Sequence, residues 1–130
     1  MRRRLCLASL LLPLLLGACA VFAPSGQRYV VFFRGSSAEI DEAGEAVVTA
    51  AAGWATRHPD MPVVVASFTD PYGSPKANAD FARLRAQAVI DAMIGRGVPA
   101  SRIERREIGS VSFQIDSQES RRVEITVGTP

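Results

Sequence analysis

The chain reads as an α+β domain in which two helices pack on one sheet, in the order β-α-β-α-β-β. Three observations carry this reading. Tyr29–Phe33 and Val63–Phe68 are short apolar runs, the first rich in aromatic and β-branched residues, which is the pattern of a buried strand. Ile40, Gly44, Val47, Ala51 and Trp54 recur at steps of four and three, one face of a helix. Val123, Ile125 and Val127 alternate with Glu124 and Thr126, a half-buried strand. Two helices laid on one sheet bury both apolar faces in a single core.

Taken in order, Ala20–Arg28 holds Pro24, Ser25 and Gly26 and reads as a tether. The first strand follows over Tyr29–Phe33. Ser36-Ser37-Ala38-Glu39 matches a capping box, with Ser36 as N-cap and Glu39 reaching back. Asp41, Glu42 and Glu45 suit the first turns of the helix, and Pro59 ends it. Val63–Phe68 predicts a central strand covered on both faces. Asp70-Pro71-Tyr72-Gly73-Ser74-Pro75 is a turn-rich loop. Asn78 is placed to cap a second helix that runs to about Arg96 and stops at Gly97. Arg102–Ile108 predicts a third strand of weak alternation, and Val123–Val127 the fourth.

The first residues address the chain to a compartment. Arg2, Arg3 and Arg4 precede a run from Leu5 to Leu16 that is apolar apart from Ser9, and then come Gly17, Ala18 and Cys19. A basic start, an apolar stretch and small residues describe a secretory signal peptide. The run is too short for a membrane span, which needs about 20 apolar residues. Leu16-Gly17-Ala18-Cys19 resembles the lipobox of bacterial lipoproteins, which implies cleavage before Cys19 and acylation of its thiol and amine. The expected parts are a signal over 1–18, the lipidated Cys19 with its tether over 19–28, and one domain over 29–128.

Removing the three leading arginines from 15 basic residues leaves 12 against 13 acidic ones, a net charge of −1. Nothing in that balance points to nucleic acid. Cys6 leaves with the signal, so no disulfide forms within the mature chain. One histidine and one remaining cysteine make no metal spacing, and no phosphate-binding glycine loop or nucleophile–base pattern is present. Neither a cofactor nor a metal is expected.

One residue is out of place. On the second helix Asp80, Arg83, Gln87 and Asp91 form the polar face, and Phe81, Ala82, Ala88, Val89, Ala92 and Met93 the apolar one. Arg85 falls in the middle of the apolar face. A guanidinium stays charged, so Arg85 needs an acceptor from the protein or from a ligand. Asp70, at the end of the second strand, is the obvious candidate. The two either form a salt bridge that holds the loop, or face a cleft as one acceptor and one donor. The second arrangement suits a zwitterion, with Asp70 on an ammonium and Arg85 forked onto a carboxylate.

Ser67-Phe68-Thr69-Asp70, Gly73, Asn78, Phe81-Ala82, Arg85-Ala86, Val89 and Arg121-Arg122-Val123-Glu124-Ile125 together resemble the OmpA-like C-terminal domain, the peptidoglycan-binding module of OmpA and of Pal-type lipoproteins. Phe33 and Ser36–Ile40 resemble its first strand and helix start. The likeness spans roughly Tyr29–Val127 and implies a mixed four-stranded sheet. It implies that the ligand is the diaminopimelate residue of a peptidoglycan stem peptide, with Asp70 on its ammonium and Arg85 on its carboxylate. Asn78 then orients the ligand or caps the helix, and Phe81 forms an apolar wall. Tyr72 and Arg121 are weaker members of the site. The chain departs from the family where Ser67 and Phe68 replace a glycine and a histidine, Ala82 a serine, and Ser120 an asparagine. Phe68 either crowds the pocket or fills core space.

The function expected is therefore an outer-membrane lipoprotein, facing the periplasm, that ties membrane to cell wall without catalysis. Ala20 after the lipidated cysteine is neutral, and by resemblance to known lipoproteins this favours the outer membrane. The alternative is an interaction module of an envelope protein complex. Nine tether residues reach at most about 30 Å, so the site stays near the membrane. A hydrolase using Asp70 with Asp80 or Glu107 would need two carboxylates about 5 to 10 Å apart across a cleft, and Asp80 lies on the polar helix face. On this reading Asp70 and Arg85 serve the ligand, and replacing either with alanine abolishes binding while leaving the fold largely intact. Elsewhere, His58 is expected at a helix end, Trp54 in the core, Arg121 turned inward, Arg122 outward, and Arg102, Arg105 and Arg106 on a solvated face.

Overall fold

The computed structural model describes residues 25–69, 71–110 and 120–129. The elements follow the predicted order: β1 (Gln27–Phe32), α1 (Glu42–Arg57), β2 (Val63–Thr69), α2 (Pro75–Gly95), a short 3-10 helix (Ala100–Arg102), β3 (Ile103–Ser110) and β4 (Arg122–Val127). The sheet order is β1-β4-β2-β3, with β2 central as expected. β2 runs parallel to β3 and antiparallel to β4, and β1 is antiparallel to β4, so the sheet is mixed. The predicted signal peptide, Cys19, the tether up to Pro24 and Asp70 lie outside the described residues. Gln27 and Arg28, assigned to the tether, are instead the first residues of β1, opposite Val127 and Thr126.

Both helices lie on one face of the sheet. Val31, Val65, Val123 and Ile125 from that face are fully buried against Val48, Ala51, Val89 and Met93 from the helices. Each such aliphatic side chain contributes about 1.5–3 kcal/mol through burial. α1 approaches β1 closely at Gly44, where an added Cβ would stand 2.7 Å from Ile40 Cγ2 and 3.1 Å from Val31 Cγ1. The helices do not cover the other face, contrary to the expectation for β2. Val64 and Ala66 are only half-buried there, because strand residues alternate sides and both helices follow the odd-numbered set.

The helix starts differ from the predicted ones. Asp41, not Ser36, caps α1, and its carboxylate accepts from Gly44 N at 2.9 Å. Ser37 Oγ instead accepts from Glu39 N at 3.0 Å, a local turn that precedes the helix. Ser74 caps α2, with its hydroxyl accepting from Ala77 N and Pro75 in the first turn. Proline there loses no needed N–H and is already set for helical φ, so the pair Ser74-Pro75 outcompetes Asn78. At the far end, Gly97 has φ +96°, as expected of a helix stop.

β1 and β2 run in the same direction, so the sheet has two unlike ends. Phe33, Thr69, Arg122 and the N-termini of both helices gather at one. The chain enters at the other, where Gly26 N donates to Thr129 O at 3.0 Å. There is no room for a Cβ on Gly26, which would overlap that carbonyl. Arg102 is also at this end and is half-buried instead of lying on a solvated face: it donates to Met61 O and His58 O, each at 2.7 Å. His58 closes α1, its Nδ1 2.9 Å from Trp54 O and its ring stacked on the half-buried Trp54.

The caps can be told apart by mutation. Asp41→Ala is expected to cost about 1 kcal/mol and Ser36→Ala a few tenths at most, read from urea unfolding midpoints. Equal losses would restore Ser36 as the cap.

Candidate functional site

At the end where the helices begin, Gly35, Ser36, Ala77, Asn78, Phe81, Arg85 and Arg121 line a cavity of about 240 Å³. Three elements build it: the β1–α1 loop, the first three turns of α2, and the residue that leads into β4. Four of the predicted site residues, Asn78, Phe81, Arg85 and Arg121, are brought together here.

Arg85 is the centre of the arrangement. It is 3% exposed, as its place on the apolar face of α2 required. Among the described residues, backbone oxygens of the β1–α1 loop accept from it. Nε donates to Ser37 O at 2.7 Å, and Nη2 donates to Gly35 O and, at 3.4 Å, to Arg34 O. The guanidinium also lies between two phenyl rings, 5.5 Å from the Phe33 centroid and 5.4 Å from that of Phe81. Hydrogen bonds to a charged donor are worth about 1.5–3 kcal/mol each, and a ring face adds attraction for the cation. Arg85 therefore ties α2 to the loop that walls the cavity, with acceptors from the protein itself, one of the two sources the sequence left open.

Asn78 is inside α2, not at its cap, and Nδ2 donates to Tyr72 O at 2.6 Å. That bond fixes the loop entering the helix, which turns through Gly73 at φ +87°. Tyr72 itself is 62% exposed and does not line the cavity. Arg121 turns toward the helices as predicted, and its backbone oxygen accepts from Phe33 N at 2.9 Å, holding the two cavity walls together. Phe68 does not crowd the cavity. It lies on the opposite side of the sheet, with the Arg122 guanidinium 3.8 Å from its ring centroid. Arg122 points outward as expected and also donates to Glu124 at 2.9 Å.

Neither carboxylate weighed as a hydrolytic partner lines the cavity, and Glu107 is exposed on the edge strand β3. Asp80 accepts from Lys76 at 2.9 Å and Arg83 at 3.4 Å on the outer side of α2. The Lys76 ammonium beside it holds its carboxyl below the usual carboxylate range, so it is poorly suited to donate a proton. Among the described residues no group of three or more His, Cys, Asp or Glu side chains could hold a metal ion. No helix among them is long and apolar enough to cross a membrane.

Fold and cavity define an α+β domain that carries a cationic recess at the tips of its strands. The chain belongs to the OmpA family, whose model matches residues 32–125. The Escherichia coli K12 protein named probable lipoprotein YiaD is 35% identical over 103 residues, which is 75% of this chain and 47% of that relative. The chain thus spans about half the length of this curated relative. Among solved structures, the OmpA-like domain of FopA1 from Francisella tularensis matches with a TM-score of 0.70 at 21% identity, over 81% of this chain and 73% of that one. The peptidoglycan-associated lipoprotein from Burkholderia pseudomallei gives a TM-score of 0.67 at 21% identity, over 76% and 89%. At such identities these two establish the shared fold.

Arg85 is expected to behave as a structural residue as well as a site residue. Arg85→Ala should lower unfolding free energy by about 2–3 kcal/mol, because it removes a buried donor set and orphans loop carbonyls. Denaturant unfolding checks this, and a loss below about 0.5 kcal/mol would return Arg85 to a purely ligand-facing role.

Proposed function

We propose that this chain is a lipid-anchored, noncatalytic peptidoglycan-binding protein of the bacterial envelope. Cys19 carries the lipid, the membrane is the outer one, and the domain faces the periplasm. The ligand is the diaminopimelate residue of a stem peptide, whose free end bears an ammonium and a carboxylate. Asp70 takes the ammonium and Arg85 the carboxylate, with Arg121 as a second cation on the same wall. Phe81 packs on the aliphatic part, and Asn78 keeps the loop that bears Asp70 in position. Binding of this kind needs complementarity and no cofactor.

The observation that carries the reading is Arg85, a guanidinium 3% exposed that nevertheless lines a cavity. A permanent charge at the wall of a small recess favours an anionic group that can be desolvated there. Membership of the OmpA family supports the same ligand, and the name of the relative YiaD, a probable lipoprotein, supports the anchor. The cavity at about 240 Å³ accepts the end of one amino-acid side chain rather than a glycan strand.

The test is retention of the chain on purified sacculi of the diaminopimelate type. Asp70→Ala is expected to weaken retention at least about tenfold while the thermal unfolding of the domain is unchanged. Sacculi built with lysine in place of diaminopimelate should retain the wild type poorly. Equal retention of wild type and Asp70→Ala would remove Asp70 from the site. A folded wild type that binds no sacculus would favour a protein partner in the envelope. The anchor has its own test: Cys19→Ser should accumulate as an unprocessed precursor, seen by intact mass, and normal maturation of that variant would exclude the lipoprotein assignment.

A further inference from the structure

The fold puts the point where the chain enters and the recess at opposite ends of the sheet. The entry is pinned: Gly26 N donates to Thr129 O at 3.0 Å, and Gly128 N donates to Pro62 O at 2.8 Å. From Gln27 to Phe32 the chain is then paired with β4, residue by residue. The recess opens past the far end of that ladder, among Gly35, Ser36, Ala77 and Asn78. Between Cys19 and the pinned Gly26 there remain only Ala20–Ser25, fewer residues than the sequence suggested, because Gln27 and Arg28 belong to β1.

We infer that the chain is a short-range gauge, which grips a sacculus only where the wall lies within about 50 Å of the membrane that holds its anchor. The inference rests on the lipid at Cys19 and the diaminopimelate ligand proposed above. From Cys19 to Gly26 an extended chain reaches at most about 25 Å, at about 3.5 Å per residue. β1 adds roughly 20 Å, at about 3.3 Å for each of its six residues. The recess lies just past the strand tips, which brings the limit to about 50 Å. The limit is covalent and holds for every conformation of the tether. More reach could come only from stripping β1 off β4, which breaks the ladder and uncovers the fully buried Val31.

The same geometry sets a direction. When the tether is drawn out, β1 leads away from the membrane and the recess faces the wall, because entry and recess lie at the two ends of one strand. Affinity and range are then separate properties of the chain. The recess sets the first. Ala20–Ser25 and the length of β1 set the second, and these segments supply no residue that lines the recess. A wall beyond the limit stays out of range at any affinity.

The distance at which the full, lipidated chain first holds a wall tests the inference. Sacculi of the diaminopimelate type are fixed to a force-microscope tip and lowered onto a supported bilayer that carries the chain. The wild type should adhere only at gaps below about 50 Å. Inserting about twenty Gly/Ser residues between Ala23 and Pro24 should move the onset outward by about 25 Å or more, the root-mean-square span of such a linker. Retention of that variant on sacculi in free solution should equal that of the wild type. The same insertion after Thr129, which is not between anchor and recess, should leave the onset in place. Wild-type adhesion at gaps well above about 50 Å overturns the inference, and so does an onset that the first insertion does not move. Adhesion at no gap for any variant, with no retention in free solution, removes the sacculus as ligand and the gauge with it.

Discussion

The structure depends on how one permanent charge is satisfied away from water. Arg85 cannot lose its proton, so its burial obliges the protein to bring acceptors to it. It does so with the backbone of residues Arg34–Ser37, which must turn their carbonyls inward. That requirement fixes the path between β1 and α1, explains why α1 begins only at Glu42, and sets the spacing between α2 and the loop across which the cavity opens. Phe33 and Phe81 bring their rings against the same guanidinium. The group that gives the recess its charge is the group that holds its walls together, so at this position stability and recognition cannot be varied independently.

Much of this was legible in the amino-acid letters. The order of elements followed from periodicity, and Arg85 announced itself as the one charge on an apolar helix face. What the letters hid were features carried by the backbone. The acceptors of Arg85 among the described residues are carbonyls, which every residue has and no side-chain pattern reveals. The capping residues were misread for a related reason. Ser36 and Asn78 have the right chemistry, but a cap forms where the incoming chain leaves the extended region, and that point is set by tertiary contacts. At Asp41 it is set by the loop wrapped around Arg85, and at Ser74 by the proline that follows. The apolar run in β2 was read as two covered faces, since a sequence reports that a surface is apolar without saying what covers it.

Phe68 links these threads. It stands at the tip of β2, where related domains are expected to carry a histidine, and its ring turns to the side of the sheet away from the cavity. The Arg122 guanidinium lies on it and is held by Glu124. The ring thus does not line the recess, and it is buried, 7% exposed, on the other side of the sheet. Neighbouring residues of one strand tip, Ser67 facing the helices and Phe68 facing away, belong to different surfaces, as strand geometry requires.

The clamp between Gly26 and Thr129 has a mechanical consequence. The chain enters the fold at the end of β1 farthest from the cavity, and β1 is paired with β4 along its whole length from Gln27 to Phe32. A pull between that entry and an object held in the cavity runs along the strand axis. Its load falls on all the β1–β4 hydrogen bonds together, in shear, instead of opening them one at a time. Extension is resisted by the full ladder, and β1 works as a stay rather than a zipper.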